Sequence, residues 1–297
     1  MIGLLVSLSI AILFYAAALV RAAIGQHIRP NAEAIYLGAV VNFFDALGIG
    51  SFATTTVWMK FRKMVPDRLI PPTMLVGLTP PVLAQSIIFL ILLGVLVDPI
   101  LLIGCAITTM LGGIVGAPLV ARARVWLVQL IVAVGLVLAA IAYAMTNLHF
   151  FPGGGTASGL PIGLTLAAMI ASFGFGILAN FGVGNYAPTL VLLSLMGMDP
   201  RLCFPIMATG GSLMGVAASV RHMKIGEVDL RIVLGLAIGG IPAVIIAALV
   251  VKSMPLEILR WLVFAVVLYA AAVMVRAALS GRHEEKAKLA AASVTTS

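Results

Sequence analysis

Charge is what this sequence has least of. Only 9% of its 297 residues are Asp, Glu, Lys or Arg, where a soluble domain carries ~25%. That shortage excludes an ordinary soluble enzyme. The formal net charge of +8 does not point to nucleic acid either, because the basic residues sit in short loops between apolar runs, as the positive-inside bias predicts. The mixed tail from Arg282 to Lys288 is too short for a binding domain. Cysteine is nearly absent: Cys105 and Cys203 lie inside apolar runs and read as small packing residues. Without a CxxC pair they make no structural zinc site and leave the redox compartment unread. The chain has no Gly-x-x-x-x-Gly-Lys-[Ser/Thr], which argues against ATP drive. No cofactor, metal or catalytic residue is expected, so the chain reads as no enzyme. Ser51 could serve an intramembrane hydrolase only with a base, and no histidine lies in any apolar run.

What the sequence has is apolar length. Hydrophobic residues make up 62% of it, enough for about nine segments of the ~20 residues that a ~30 Å hydrocarbon core requires. Nine stretches stand out, at 2–20, 34–58, 69–93, 99–120, 125–145, 161–198, 203–220, 231–251 and 257–279. They are long and lack period-2 alternation, so the expected fold class is an all-α polytopic membrane protein. The first stretch reads as a retained helix, since no Lys or Arg precedes it as in a signal peptide. Glycines interrupt 34–58 and 161–198 at their middles, and the second is too long for one crossing. Pro71-Pro72 and Pro80-Pro81 are expected to break 69–93.

The two glycine-broken stretches are related. Gly48-Ile-Gly-Ser-Phe-Ala-Thr-Thr-Thr-Val57 aligns with Gly182-Val-Gly-Asn-Tyr-Ala-Pro-Thr-Leu-Val191, identical at five of ten positions. Arg68 to Gly77 aligns with Arg201 to Gly210 in nearly the same register, and Gly112-Gly113-Ile114 with Gly239-Gly240-Ile241. The chain therefore reads as an extra N-terminal helix (1–30), a first repeat (31–145), a linker (146–160), a second repeat (161–280) and a polar tail (281–297). Each repeat is one glycine-broken segment plus three transmembrane helices. Duplicated halves with broken segments in matching places are the sequence pointer to a secondary transporter, with substrate near the breaks. A break frees backbone N–H and C=O groups, tolerated in a bilayer only against protein or a wet cavity. Half-helix N-termini suit an anion.

The stretch Phe173-Gly-Phe-Gly-Ile-Leu-Ala-Asn-Phe-Gly-Val-Gly-Asn-Tyr-Ala-Pro-Thr-Leu190 resembles the second-half signature of the TauE/SafE sulfite exporter family, also called the toluene sulfonate uptake permease family. Met198-Asp-Pro-Arg201, Ala208-Thr-Gly-Gly-Ser-Leu213 and the segment from Arg221 to Leu230 resemble its loops and small-residue helix. The resemblance spans about residues 34–279 and is weaker in the first half. It departs where Asn185-Tyr186 and Ser51-Phe52 replace the last two glycines of the family's motif. What it implies is a carrier, exporting by direction, for sulfite or a small organosulfonate. The alternatives are an anion channel or a carrier of another small carboxylate or oxyanion.

Charge placement bears on topology. If both glycine-broken segments dip in and return, only Arg201, Lys252 and Arg260 of the 18 basic residues lie on the opposite face, and the repeats are inverted. Asp45 is the one carboxylate well inside an apolar run; an acid there costs ~2.5–3.5 kcal/mol on insertion scales. It is either a coupling group for protons or sodium, or a residue that makes a helix-capping or interhelical hydrogen bond three residues before Gly48. Asn42, Gly48, Gly50, Ser51, Thr54 and Thr55 at the first break are candidate substrate-binding residues. So are Asn180, Gly182, Gly184, Asn185, Tyr186 and Thr189 at the second. Gln85, Thr209 and Ser212 follow on the next helices, with Thr79 of lower rank. Arg201 and His222 read as loop and surface residues. Expected partners are a small anion, its coupling ion and membrane lipid, in the inner (cytoplasmic) membrane, with no nucleic acid; a homodimer is compatible with the sequence.

Overall fold

The computed structural model describes residues 2–25, 28–48, 51–66, 69–116, 124–148, 155–179, 185–225 and 228–295. These fold into helices α1 (Ile2–Gly25), α2 (Ala32–Ala46), α3 (Phe52–Phe61), α4 (Ile70–Leu92), α5 (Pro99–Gly116), α6 (Val125–Asn147), α7 (Ile162–Ala179), α8 (Tyr186–Leu195), α9 (Pro200–Ile225), α10 (Leu230–Ser253) and α11 (Leu256–Thr295). Among the described residues there is no strand, and α4, α5, α7, α10 and α11 are long and apolar enough to cross a membrane. The chain is a multi-pass membrane protein. Ile131, Leu138, Ile170 and Ile246 stand exposed on the outer faces of α6, α7 and α10, an apolar surface that suits lipid and not water.

Caps explain where several helices start. Asn31 accepts from Ala34 N at 3.0 Å, Asp98 from Leu101 N at 2.9 Å, and Asp229 from Arg231 N at 2.9 Å, each satisfying an orphan donor of the first turn. The 161–198 stretch resolves into two helices, α7 and α8.

The expected break at Pro71-Pro72 and Pro80-Pro81 is corrected: α4 runs unbroken through both pairs. The first pair lies in the opening turn, where no N–H is needed. Pro80 lacks the N–H that would bond the Val76 carbonyl, and the Tyr15 hydroxyl of α1 donates to that carbonyl at 2.9 Å instead. The freed group is satisfied from a neighbouring helix, so the helix persists.

Packing crosses between the two halves of the chain. α2 lies on α10 and α5 on α7, while α4 lies on α9 and α6 on α11. Glycines allow the closest of these approaches. A Cβ at Gly38 would sit 2.5 Å from the Leu236 carbonyl oxygen, and one at Gly239 would collide with the Ile35 carbonyl. On the α5–α7 contact, Gly112 faces the Phe173 carbonyl and Gly176 the Thr109 carbonyl in the same way. Small residues at helix contacts are how membrane helices gain dispersion contact.

Loop contacts define two ends. At one, Asn31 N donates to Arg231 O at 3.1 Å and Asp229 N to Thr73 Oγ1 at 3.0 Å. There α3 brings Arg62 back to Glu33 at the start of α2, with Nε 2.7 Å from Oε1, and Trp58 Nε1 donates to the same oxygen at 3.1 Å. The Arg62 guanidinium holds the Glu33 carboxyl below the usual carboxylate range. At the other end, Asp98 N donates to Ser158 O at 3.0 Å, Ala157 N to Gly197 O at 3.2 Å, and Arg201 Nη2 to Met254 O at 2.7 Å. The end of α8 is thereby tied to the strand-like stretch just before α7.

Candidate functional site

The first break is short and specific. α2 ends at Ala46 with Leu47 as its C-cap, and Gly48 adopts φ +96° with its N–H on Asp45 O at 2.8 Å. This left-handed residue turns the chain without a Cβ penalty. The described chain resumes at Ser51, whose N–H donates to Asp45 Oδ1 at 2.7 Å. The carboxylate of α2 therefore holds the opening of α3. Its second oxygen, Oδ2, is buried without a hydrogen-bond partner among the described residues. Ser51 Oγ lies beside the same carboxylate but outside hydrogen-bond geometry.

The second break brings Asn185 and Tyr186 to the opening of α8. Asn185 Nδ2 donates to Met207 O of α9 at 3.3 Å, and both side chains lie against Gly211. The Tyr186 ring is buried. Its hydroxyl lies beside Gln85 of α4, again outside hydrogen-bond geometry, and within electrostatic reach of Asp45. Gly48 packs on Leu190 of α8 and Val266 of α11. The described edges of the two breaks, far apart in sequence, thus approach one another, with Asp45 and Ser51 on one side and Tyr186 and Gln85 on the other.

The remaining candidates divide. Asn42 lies one turn before Asp45, against Gly240 and Pro81, with Nδ2 donating to Gly38 O at 2.7 Å and Oδ1 unpartnered among the described residues. Thr54 and Thr55 both donate to Ser51 O, at 2.9 and 2.7 Å, so their hydroxyl protons are spent within the turn. Thr189 is buried one turn into α8, and Ser212 donates to Thr209 O at 2.9 Å. Thr209 Oγ1 is buried without a partner among the described residues. Gly50, Asn180, Gly182 and Gly184 lie outside the described residues, as does His149; the His222 side chain is likewise undescribed. Arg201 is held at its end of the molecule by Met254 O and its own Asp199, and it takes no place at the breaks.

Thr79 turns away from the breaks. Its hydroxyl pairs with Ser219 Oγ at 2.7 Å across the α4–α9 contact. Sequence reasoning did not single out Ser219, yet the register that aligns Arg68 with Arg201 also aligns Ser86 with Ser219. Tyr15 carried no such signal, because its partner is a backbone carbonyl.

Among the described residues, the polar groups at the breaks include donors and one acid but no cation. No Lys or Arg lies between Arg29 and Lys60, between Arg68 and Arg122, or between Arg124 and Arg201. Such a site can hold a small anion through neutral hydroxyl and amide donors and two half-helix N-termini. No curated protein and no solved structure matches the chain. Residues 162–296, from α7 through the end of α11, match the family model described as Sulfite exporter TauE/SafE, and over that span the family resemblance is borne out.

Proposed function

We propose that the chain is a secondary transporter that moves sulfite or a small organosulfonate across the inner (cytoplasmic) membrane, with the anion held where the two breaks meet. The matched family is one of transporters, and its description carries both the substrate class and the outward direction. The observation that carries the reading is the convergence of buried polar groups from α2, α4 and α8 that have no partner among the described residues, at two interrupted helices. A membrane protein does not keep such groups idle, because each costs free energy unless a ligand or water satisfies it.

Two inverted repeats, 31–145 and 161–280 joined by the 146–160 linker, account for the packing. Taking α2 to α6 as counterparts of α7 to α11 in order, the α2–α10 contact answers α7–α5, and α4–α10 answers α9–α5. The α4–α9 and α6–α11 contacts pair counterparts with one another, as a twofold relation requires. α2–α3 and α7–α8 then serve as re-entrant hairpins. The return of Arg62 to Glu33 supports the first, and the Ala157–Gly197 bond supports the second. One repeat rocks against the other to expose the anion alternately, and Asp45 couples that motion to an ion gradient.

Flux of sulfite, sulfate, thiosulfate, sulfoacetate and taurine into proteoliposomes tests this reading. Saturable uptake of at least one sulfur oxyanion, weakened in Tyr186→Phe, is expected. Recognition of none of the five would overturn the substrate class, and a non-saturating ohmic current would overturn the carrier.

A further inference from the structure

The charge available at the breaks restricts what can bind there. Gln85 and Ser51 are 0% exposed and Tyr186 7%; all three present polar atoms without a partner among the described residues, and all three are neutral. The remaining positive field comes from the N-termini of α3 and α8, helices of 10 residues each. Each contributes roughly half an elementary charge, so together they offset about one negative charge. Asp45 already supplies one negative charge when ionised, aimed at the opening of α3. Among the described residues no cationic side chain is placed at the breaks to offset another, and every basic residue of the packed elements lies near an end of its apolar stretch.

The groups around Asp45 bear this out. α4 has no charged residue, α10 carries Arg231 and Lys252 only at its ends, and α3 carries Lys60 in its last turn. The part of α11 that touches Gly48, at Val266, lies between Arg260 and Arg276. Tyr186 is the titratable group of α8 that faces the carboxylate.

We infer that the site takes a monoanion together with one proton on Asp45, as an electroneutral pair, and rejects dianions; the inference rests on the transport reading. The empty site balances its field with the ionised Asp45 carboxylate. The occupied site balances it with the bound monoanion, the carboxyl oxygen having taken up a proton. A dianion leaves one buried negative charge unopposed even when Asp45 is protonated, which is the costly case of an uncompensated buried ion. For an acid such as sulfite, which near neutrality is a mixture of mono- and dianion, the species carried is the hydrogen form. Direction then follows the combined proton and anion gradients, with no contribution from membrane voltage.

The test uses the full chain in proteoliposomes with methanesulfonate, a monoanion at every pH used, and sulfate, a dianion. Methanesulfonate uptake should acidify the lumen, ignore an imposed potassium–valinomycin potential, and fall about tenfold per pH unit once Asp45 is ionised in the empty site. Sulfate flux should be at least tenfold slower. Asp45→Asn should carry methanesulfonate without proton movement and with a new dependence on voltage. Sulfate carried as fast as methanesulfonate, or voltage-driven methanesulfonate flux in the wild type, overturns the inference and leaves the transporter reading standing. If sulfite is carried but neither probe is carried nor retards it, the inference falls and the transport reading stands; if sulfite is not carried either, the transport reading falls and the inference with it.

Discussion

The Asp45 carboxylate accepts a hydrogen bond from the backbone N–H of Ser51 at 2.7 Å, across the break between α2 and α3. One oxygen thus caps a helix and the other is buried without a partner among the described residues. The capping oxygen is thus occupied, and under the proposed coupling role the other would take the proton. Asp45→Asn keeps an acceptor for the Ser51 N–H, whereas Asp45→Ala removes it and should cost about 0.5–2 kcal/mol, the usual worth of a cap. Thermal unfolding in detergent checks this: the Ala variant should melt below the Asn variant.

Tyr186→Phe separates binding from folding. The hydroxyl has no hydrogen-bond partner among the described residues, so its removal should leave the melting temperature unchanged or raise it. If it donates to the bound anion, affinity should fall by about 10- to 100-fold, the equivalent of a ~1.5–3 kcal/mol bond to a charged group. Titration calorimetry with sulfite and a melting curve on the same preparation read both quantities.

Gly239→Ala and Gly112→Ala should each destabilise the chain by about 1–3 kcal/mol, as overpacking does. Their added methyls meet the carbonyls of Ile35 and Phe173, backbone atoms that cannot swing aside. Gly135→Ala is the contrast: nothing lies within 4 Å of its Cβ position, and the gain in helix propensity of about 0.5–1 kcal/mol should appear instead. Melting curves should therefore fall for the first two variants and rise for the third.

Tyr15→Phe strips the donor from the Val76 carbonyl that Pro80 leaves free. A buried acceptor without its partner costs about 1–3 kcal/mol. A lowered melting temperature is expected, and Tyr15→Phe combined with Pro80→Ala should recover part of it, because the second substitution restores a backbone N–H that can reach the same carbonyl.

Reporter fusions after Lys63 and after Arg201 should lie on opposite sides of the membrane if both broken segments are hairpins. Placement of both on the cytoplasmic side sinks the inverted-repeat arrangement.

Much of this architecture is written in local residue order. The glycine at 48, the capping residues Asn31, Asp98 and Asp229, and the length of 161–198 all act within a few residues of themselves, so they can be read along the chain. The prolines of α4 could not be. Whether Pro80 breaks a helix depends on a tyrosine 65 positions away in α1, and no local rule supplies that partner. The candidate site was legible in part for the same reason. Asp45, Ser51, Gln85 and Tyr186 were marked by polarity in apolar surroundings, but so were Thr54, Thr55 and Ser212, whose hydroxyls turn out to bond nearby backbone in their own stretch of chain.

By itself, the sequence determined that this chain lives in a membrane and is helical, because apolar length and missing charge are properties of the chain alone. Tertiary structure decided which polar groups face one another. Packing α4 on α9 and α8 beside the first break brings Gln85 to Tyr186, puts Tyr186 within electrostatic reach of Asp45 and sends Thr79 to Ser219. Hydrogen bonds and charge act over a few ångströms, and only the folded chain sets those distances.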